Sequence, residues 1–106
     1  MEYREERALL CELGRRMWTR GWVASNDGNL SMKLPGGRIL ITPTGVSKGF
    51  LRPEVLLVMD LEGNILTQTE GYRATSETAL HLACYRARED IGGVCHAHPT
   101  AATAFA

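Results

Sequence analysis

Pro35-Gly36-Gly37 separates two short stretches of alternating apolar and polar residues, and it constrains the fold more than any other feature of the sequence. Proline brings no backbone donor and the glycines lose the most entropy on ordering, so the run belongs in a turn. With Asn29–Lys33 before it and Arg38–Thr42 after it, the pattern predicts a β-hairpin. The chain has 106 residues, room for one small domain and not for two.

The other elements fall around this hairpin. From Glu2 to about Arg20, Leu9, Leu10, Leu13 and Met17 recur at spacings of three and four, which marks an amphipathic helix with Gly21 as its stop. Thr42 to Gly45 breaks the second hairpin strand and opens a loop. Val55–Met59 reads as a strand, and Glu62-Gly63-Asn64 turns it into a further strand around Ile65-Leu66. Ser76 to Arg88 reads as a second helix, with Leu80 and Cys84 one turn apart, and Ile91–His96 as a last strand. The order helix, strands, helix, strand, helix predicts an α/β fold, a mainly antiparallel central sheet flanked by helices.

Composition narrows the partners. Lys+Arg and Asp+Glu are both 12, so the net charge is zero. Nucleic acid and anionic membranes both call for a basic face, so neither is expected as a partner. Hydrophobic residues at 44% and charged residues at 23% are those of an ordinary soluble globular protein. A local anion site stays open, because backbone N–H groups and hydroxyls bind phosphate without net charge. Cys11, Cys84 and Cys95 form no CxxC pair, which suits reduced thiols in a cytoplasm, each read as a small apolar core residue. The charged N-terminus lacks the apolar stretch of a signal peptide, and no apolar run approaches the ~20 residues of a membrane helix. Ala101 to Ala106 reads as a helix without a stop signal. The expectation is that residues 1–106 are the N-terminal part of a single domain whose C-terminal half is absent.

The residues that carry chemistry are few. His96 and His98 lie two apart, and on a strand alternate side chains share a face, so both imidazoles would converge on one point. That geometry suits a zinc ion, although two unrelated histidines at a strand end fit the pattern equally. A catalytic zinc usually takes three protein ligands and keeps an open position. The remaining histidine, His81, follows Glu77 by one turn and is better read as a packing or hydrogen-bonding residue. Thr75 and Ser76 stand where the second helix begins, with Ser76 as its N-cap. Hydroxyls beside free helical N–H groups form a seat for phosphate, or simply an ordinary cap. Gly28 with Asn29, and Thr44 with Gly45, form turns where backbone could approach a ligand closely. Lys48 reads as a solvated surface charge, and Trp18 and Trp22 as helix-end packing residues.

Taken in order, Ser25 to Ser31, Ile41 to Gly45, Thr75 to Glu77 and His96 to His98 resemble the class II aldolase/adducin family, in particular the type that cleaves L-fuculose 1-phosphate. The resemblance covers the whole chain but only about the first half of a typical member. It implies that Gly28, Asn29, Thr44, Gly45, Thr75 and Ser76 hold a substrate phosphate. Glu77 would be the acid/base, and His96 and His98 two of three ligands to one Zn2+, the third histidine lying beyond residue 106. The activity implied is zinc-dependent, reversible aldol cleavage of a ketose 1-phosphate to dihydroxyacetone phosphate and an aldehyde, in a cytoplasmic homotetramer. Glu at position 77 leans towards aldolases, because the related 4-epimerases carry Asp there. Alternatives are an epimerase, decarboxylase or dehydratase of the same family, or a non-catalytic adducin-like module. The 106-residue chain alone is expected to bind zinc weakly and to turn over little substrate.

Overall fold

A computed structural model of the chain describes residues 1–23, 28–67 and 71–97. Helix α1 runs from Arg4 to Thr19. Its end is a Schellman motif: Gly21 adopts φ +74°, its N–H reaches the Trp18 carbonyl, and the Trp22 N–H reaches that of Met17. The buried stripe is Arg7, Leu10, Gly14 and Met17, so the helix is rotated from the expected face and Leu9 is exposed. Two features cause the rotation. Arg7 donates to the carbonyls of Glu2, Pro53 and Leu56, which turns it inward. At Gly14 a Cβ would stand 2.6 Å from the Lys48 carbonyl oxygen, so a short 3-10 turn at Lys48–Phe50 can lie directly on the helix.

The hairpin forms as expected. Strand β1 (Asn29–Leu34) pairs antiparallel with β2 (Arg38–Ile41), closing with Leu34 opposite Arg38. A 3-10 turn at Pro53–Val55 leads into β3, which is only Leu57–Met59 and pairs antiparallel with β2. The strand expected at Ile65-Leu66 reduces to an isolated bridge between Met59 and Ile65. Asp60 explains why: its carboxylate accepts from the Glu62 and Asn64 backbones, folding the chain into a tight local turn.

Helix α2 spans Thr78–Ala87, and β4 spans Gly93–His96. The sheet order is β3-β2-β1-β4, antiparallel throughout, with β4 beside β1. The predicted α/β architecture is therefore present. The two faces differ in content. Leu30, Leu34, Leu40, Leu56 and Val58 pack with Leu10 and Met17 of α1. Ile39, Ile41, Leu57 and Met59 pack with Leu82 and Tyr85 of α2 on the other face. Each such fully buried aliphatic side chain contributes about 1.5–3 kcal/mol. Leu80, expected on the packed face, is exposed, because the buried face of α2 is His81, Leu82 and Tyr85.

Three further expectations are corrected. Lys48 is buried, not solvated, with its ammonium on the Val46 carbonyl at 2.7 Å. Cys95 is exposed rather than a core residue, since it alternates outward on the edge strand. Trp18 and Trp22 remain partly exposed: Trp18 meets Phe50 edge-on at 5.4 Å, and the Arg20 guanidinium lies over Trp22. The helix expected from Ala101 to Ala106 lies outside the described residues. No described helix is long and apolar enough to cross a membrane.

Candidate active site

The first half of the site is built where β2 runs out. Thr42 exchanges hydrogen bonds with β1, its N–H reaching the Leu30 carbonyl and its Oγ1 accepting from the Leu30 N–H. The next residues pair with the segment that precedes α2. The Thr44 N–H donates to the Arg73 carbonyl at 2.8 Å, and the Thr75 N–H donates to the Thr42 carbonyl at 3.1 Å. Pro43 and Ala74 bridge between them. Thr44 with Gly45, and Thr75 with Ser76, are thus neighbours in space. Thr44, Gly45 and Ser76 are exposed, whereas Thr75 is buried.

The start of α2 differs from expectation. Glu77, not Ser76, precedes the first helical residue, and no side chain caps it. Thr75 supplies the local bonds instead: its Oγ1 accepts from the Glu77 N–H, and its carbonyl accepts from the Thr78 N–H and Oγ1. Because Thr75 is held against Thr42, the capping hydroxyl is taken one residue early. The Ser76 side chain is left at the surface, and Glu77 is half-buried.

The second half of the site is a line of polar side chains between sheet and helix. Asn29 and Ser31 occupy alternate positions of β1 on the α2 face, and both are buried. His81 and Tyr85, one helical turn apart, meet them from α2. Ser31 Oγ lies 2.6 Å from His81 Nδ1 and 2.8 Å from the Tyr85 hydroxyl. His81 Nε2 contacts Asn29 Oδ1, and Asn29 Nδ2 lies 3.4 Å from His96 Nδ1. Strand pairing sets that last contact, since Asn29 and His96 are register partners. Burial pushes the His81 imidazole below its usual range, the His96 ring adds to the effect, and Glu77 opposes it. The expected hydrogen-bonding role of His81 is what the structure has.

Gly28 leads into this line with φ +79°, and a Cβ there would stand 2.8 Å from the His96 carbonyl oxygen. Glycine is needed to let β1 begin beside the end of β4. Sequence reasoning missed Ser31 and Tyr85 as members of the cluster. The available signal was a polar pair two apart on a strand and another four apart on a helix, each on an otherwise apolar face.

Regular pairing of β4 ends at His96, and His98 lies outside the described residues. Among the described residues no three His, Cys, Asp or Glu side chains stand close enough to hold a metal ion. The donors that are placed fit part of a zinc site. His96 is half-buried, with one ring nitrogen facing an amide, and Glu77 is half-buried at the start of the helix that carries His81. An imidazole steadied through one nitrogen and a nearby carboxylate are ordinary zinc ligand chemistry. Cys95 and Ala97, alternating with His96, line an apolar groove with Leu13, Met17 and Trp22, apart from this cluster.

Known proteins are similar to this chain in sequence and in fold. The chain is 39% identical over 100 residues to the 3-oxo-tetronate 4-phosphate decarboxylase of Haemophilus influenzae, covering 94% of this chain and 46% of that protein. It is 43% identical over 90 residues to the methylthioribulose-1-phosphate dehydratase of Granulibacter bethesdensis, covering 85% of this chain and 41% of that one. It superposes on the L-fuculose-1-phosphate aldolase of Thermus thermophilus with a TM-score of 0.78 at 36% identity, covering 93% of this chain and 47% of that structure. The chain spans about half the length of the curated relatives it matches. Residues 8–106 match the class II aldolase and adducin N-terminal domain, and the chain belongs to that family.

Proposed function

We propose that this chain carries the phosphate seat and part of the metal site of a zinc-dependent sugar-phosphate lyase, acting by reversible aldol cleavage of a ketose 1-phosphate. What supports the reading most is the pairing of Thr42 and Thr44 with Thr75 and Arg73, which places two hydroxyl-bearing turns side by side next to Glu77. The phosphate is held by Thr44, Gly45, Thr75 and Ser76, with Gly28 and Asn29 at its border. Binding there orients the reacting carbons without touching them. His96 and His98 hold Zn2+ together with a third histidine from the length of the family that this chain does not span. When bound, zinc supplies Lewis-acid polarisation of the substrate carbonyl and hydroxyl oxygens. Glu77 returns a proton to the carbon released when the C3–C4 bond breaks, and takes it back in the synthetic direction. Residues 1–106 are the N-terminal part of one domain, in a cytoplasmic homo-oligomer, a setting in keeping with three free cysteines.

Relatives described as a decarboxylase and a dehydratase support a second reading, in which the same seat and metal serve loss of carbon dioxide or water. Products separate the two. Dihydroxyacetone phosphate from a panel of ketose 1-phosphates marks cleavage, while an intact carbon skeleton after water loss marks the dehydratase. The phosphate seat itself is tested by titrating the 15N-labelled chain with dihydroxyacetone phosphate. Amide shifts concentrated at Gly28, Thr44, Gly45, Ser76 and Glu77 support the seat. Shifts elsewhere, or none at millimolar ligand, reject it.

A further inference from the structure

Asn29 stands between two imidazoles, its oxygen towards His81 Nε2 and its nitrogen towards His96 Nδ1. A carboxamide accepts at one end and donates at the other, so it cannot treat both rings alike. With Oδ1 accepting from His81, Nδ2 donates, and His96 Nδ1 must offer its lone pair. A neutral ring accepting at Nδ1 carries its proton on Nε2. Turning the amide over would reverse both rings together. Asn29 therefore ties the tautomer of His96 to that of His81.

The far end of the cluster gives the line its direction. The Tyr85 hydroxyl lies 2.8 Å from Ser31 Oγ, and as donor it gives its phenol proton to Ser31. The Ser31 proton then goes to His81 Nδ1, and His81 donates from Nε2 to Asn29. In this direction each polar atom of the line has a partner, and no buried side-chain nitrogen or oxygen among the described residues lacks one. Reversed, Ser31 would donate to the Tyr85 oxygen, and the buried phenol proton would lose Ser31 as its acceptor.

We infer that Asn29, His81, Ser31 and Tyr85 form a tautomer relay that decides which ring nitrogen His96 presents, with His81 as a positioning residue. The inference deepens the metal reading above. A histidine that binds metal through Nε2 carries its proton on Nδ1 and donates it outward. The direction in the structure holds His96 in the opposite tautomer. Capture of a metal at Nε2 is thus coupled to reversal of the whole line, including a rotation of the Ser31 and Tyr85 hydroxyls at the other end.

The test is long-range 1H–15N correlation of the imidazoles in the full metal-free chain at about pH 8, above the ordinary histidine range. In the wild type both His81 and His96 should be Nε2–H tautomers. Asn29→Asp offers two accepting oxygens, so His96 should switch to the Nδ1–H form while His81 keeps its own. Should that variant not fold, Ser31→Ala removes the group that fixes His81, and both rings should become mixed together. A His96 tautomer unchanged in Asn29→Asp, or a His81 change in Ser31→Ala that His96 does not follow, overturns the relay. No change in either ring in Ser31→Ala does so equally. Titration with Zn2+ alone reads the consequence: Asn29→Asp should bind about tenfold tighter than the wild type. A tautomer switch without tighter zinc keeps the relay and sinks the zinc reading, so the two fail separately.

Discussion

Replacing Gly28 by alanine should destabilise the chain far more than the same change at Gly21, although both have nearly the same backbone. Their φ angles are +79° and +74°. An L-residue in that left-handed region costs roughly 1–2 kcal/mol at either position. The lower entropy of the unfolded alanine chain returns about 0.4–1 kcal/mol in both cases. The surroundings differ. At Gly21 a Cβ would meet nothing within 4 Å, whereas at Gly28 it would meet the His96 carbonyl oxygen at 2.8 Å and the Val23 side chain more closely still. Forcing a methyl into such a space costs about 1–3 kcal/mol, and one obstacle here is backbone that cannot rotate away. Gly21→Ala should therefore lose about 1 kcal/mol and Gly28→Ala about 2–4 kcal/mol. Urea unfolding of the two variants measures the gap. With a slope near 1 kcal/mol/M, it appears as a midpoint difference of about 1–3 M. Equal losses would refute the reasoning, because they would mean that β1 does not begin pressed against the end of β4. The comparison also bears on function: a glycine required by packing at position 28 needs no phosphate to explain it.

Other predictions concern the polar interior. Arg7→Met should cost about 1–3 kcal/mol, since the buried Leu56 carbonyl loses its side-chain donor, and urea unfolding should show it. Tyr85→Phe should cost about 1–3 kcal/mol, since Ser31 loses its donor in a buried position; Leu82→Ala, a cavity on the same helix, should cost about 2–5 kcal/mol. His81 is held below its usual range, so the unfolded chain takes up the proton first as pH falls. Stability should be flat with respect to this group above about pH 6.5 and fall below it, by up to ~1.4 kcal/mol per pH unit, until the folded value is reached. His81→Gln should remove that part of the slope, and unfolding midpoints between about pH 5 and 8 check it.

Some of this was legible in the sequence for clear physical reasons. Pro35-Gly36-Gly37 announced the hairpin and Gly21 the end of α1, because glycine and proline act through the backbone wherever they stand. Alternation along Asn29–Lys33 and Arg38–Thr42 placed strands β1 and β2. What failed depended on partners distant in sequence. Nothing in the sequence singled out Arg7, whose carbonyl partners Pro53 and Leu56 lie far along the chain; Lys48 read as a solvated charge, yet it is buried with its ammonium on the Val46 carbonyl. Ser76 had the better position for a cap, but the Thr75 bond to Thr42 decided otherwise. The line from Tyr85 to His96 needs β1, α2 and β4 together, so no local pattern could display it. The order of the motifs from Gly28 to His96 did carry the family, since the matched segments follow one another as in its members. It did not separate aldolase from dehydratase or decarboxylase, for Glu77 alone says nothing of which bond breaks.

Zinc binding tests the central claim most directly. A chelator-competition titration of the chain against a His96→Ala/His98→Ala double variant should show one saturable Zn2+ in the wild type, weakened about tenfold or more in the variant. Equal affinity in both proteins, or no saturable zinc in the wild type, would contradict the assignment of this site.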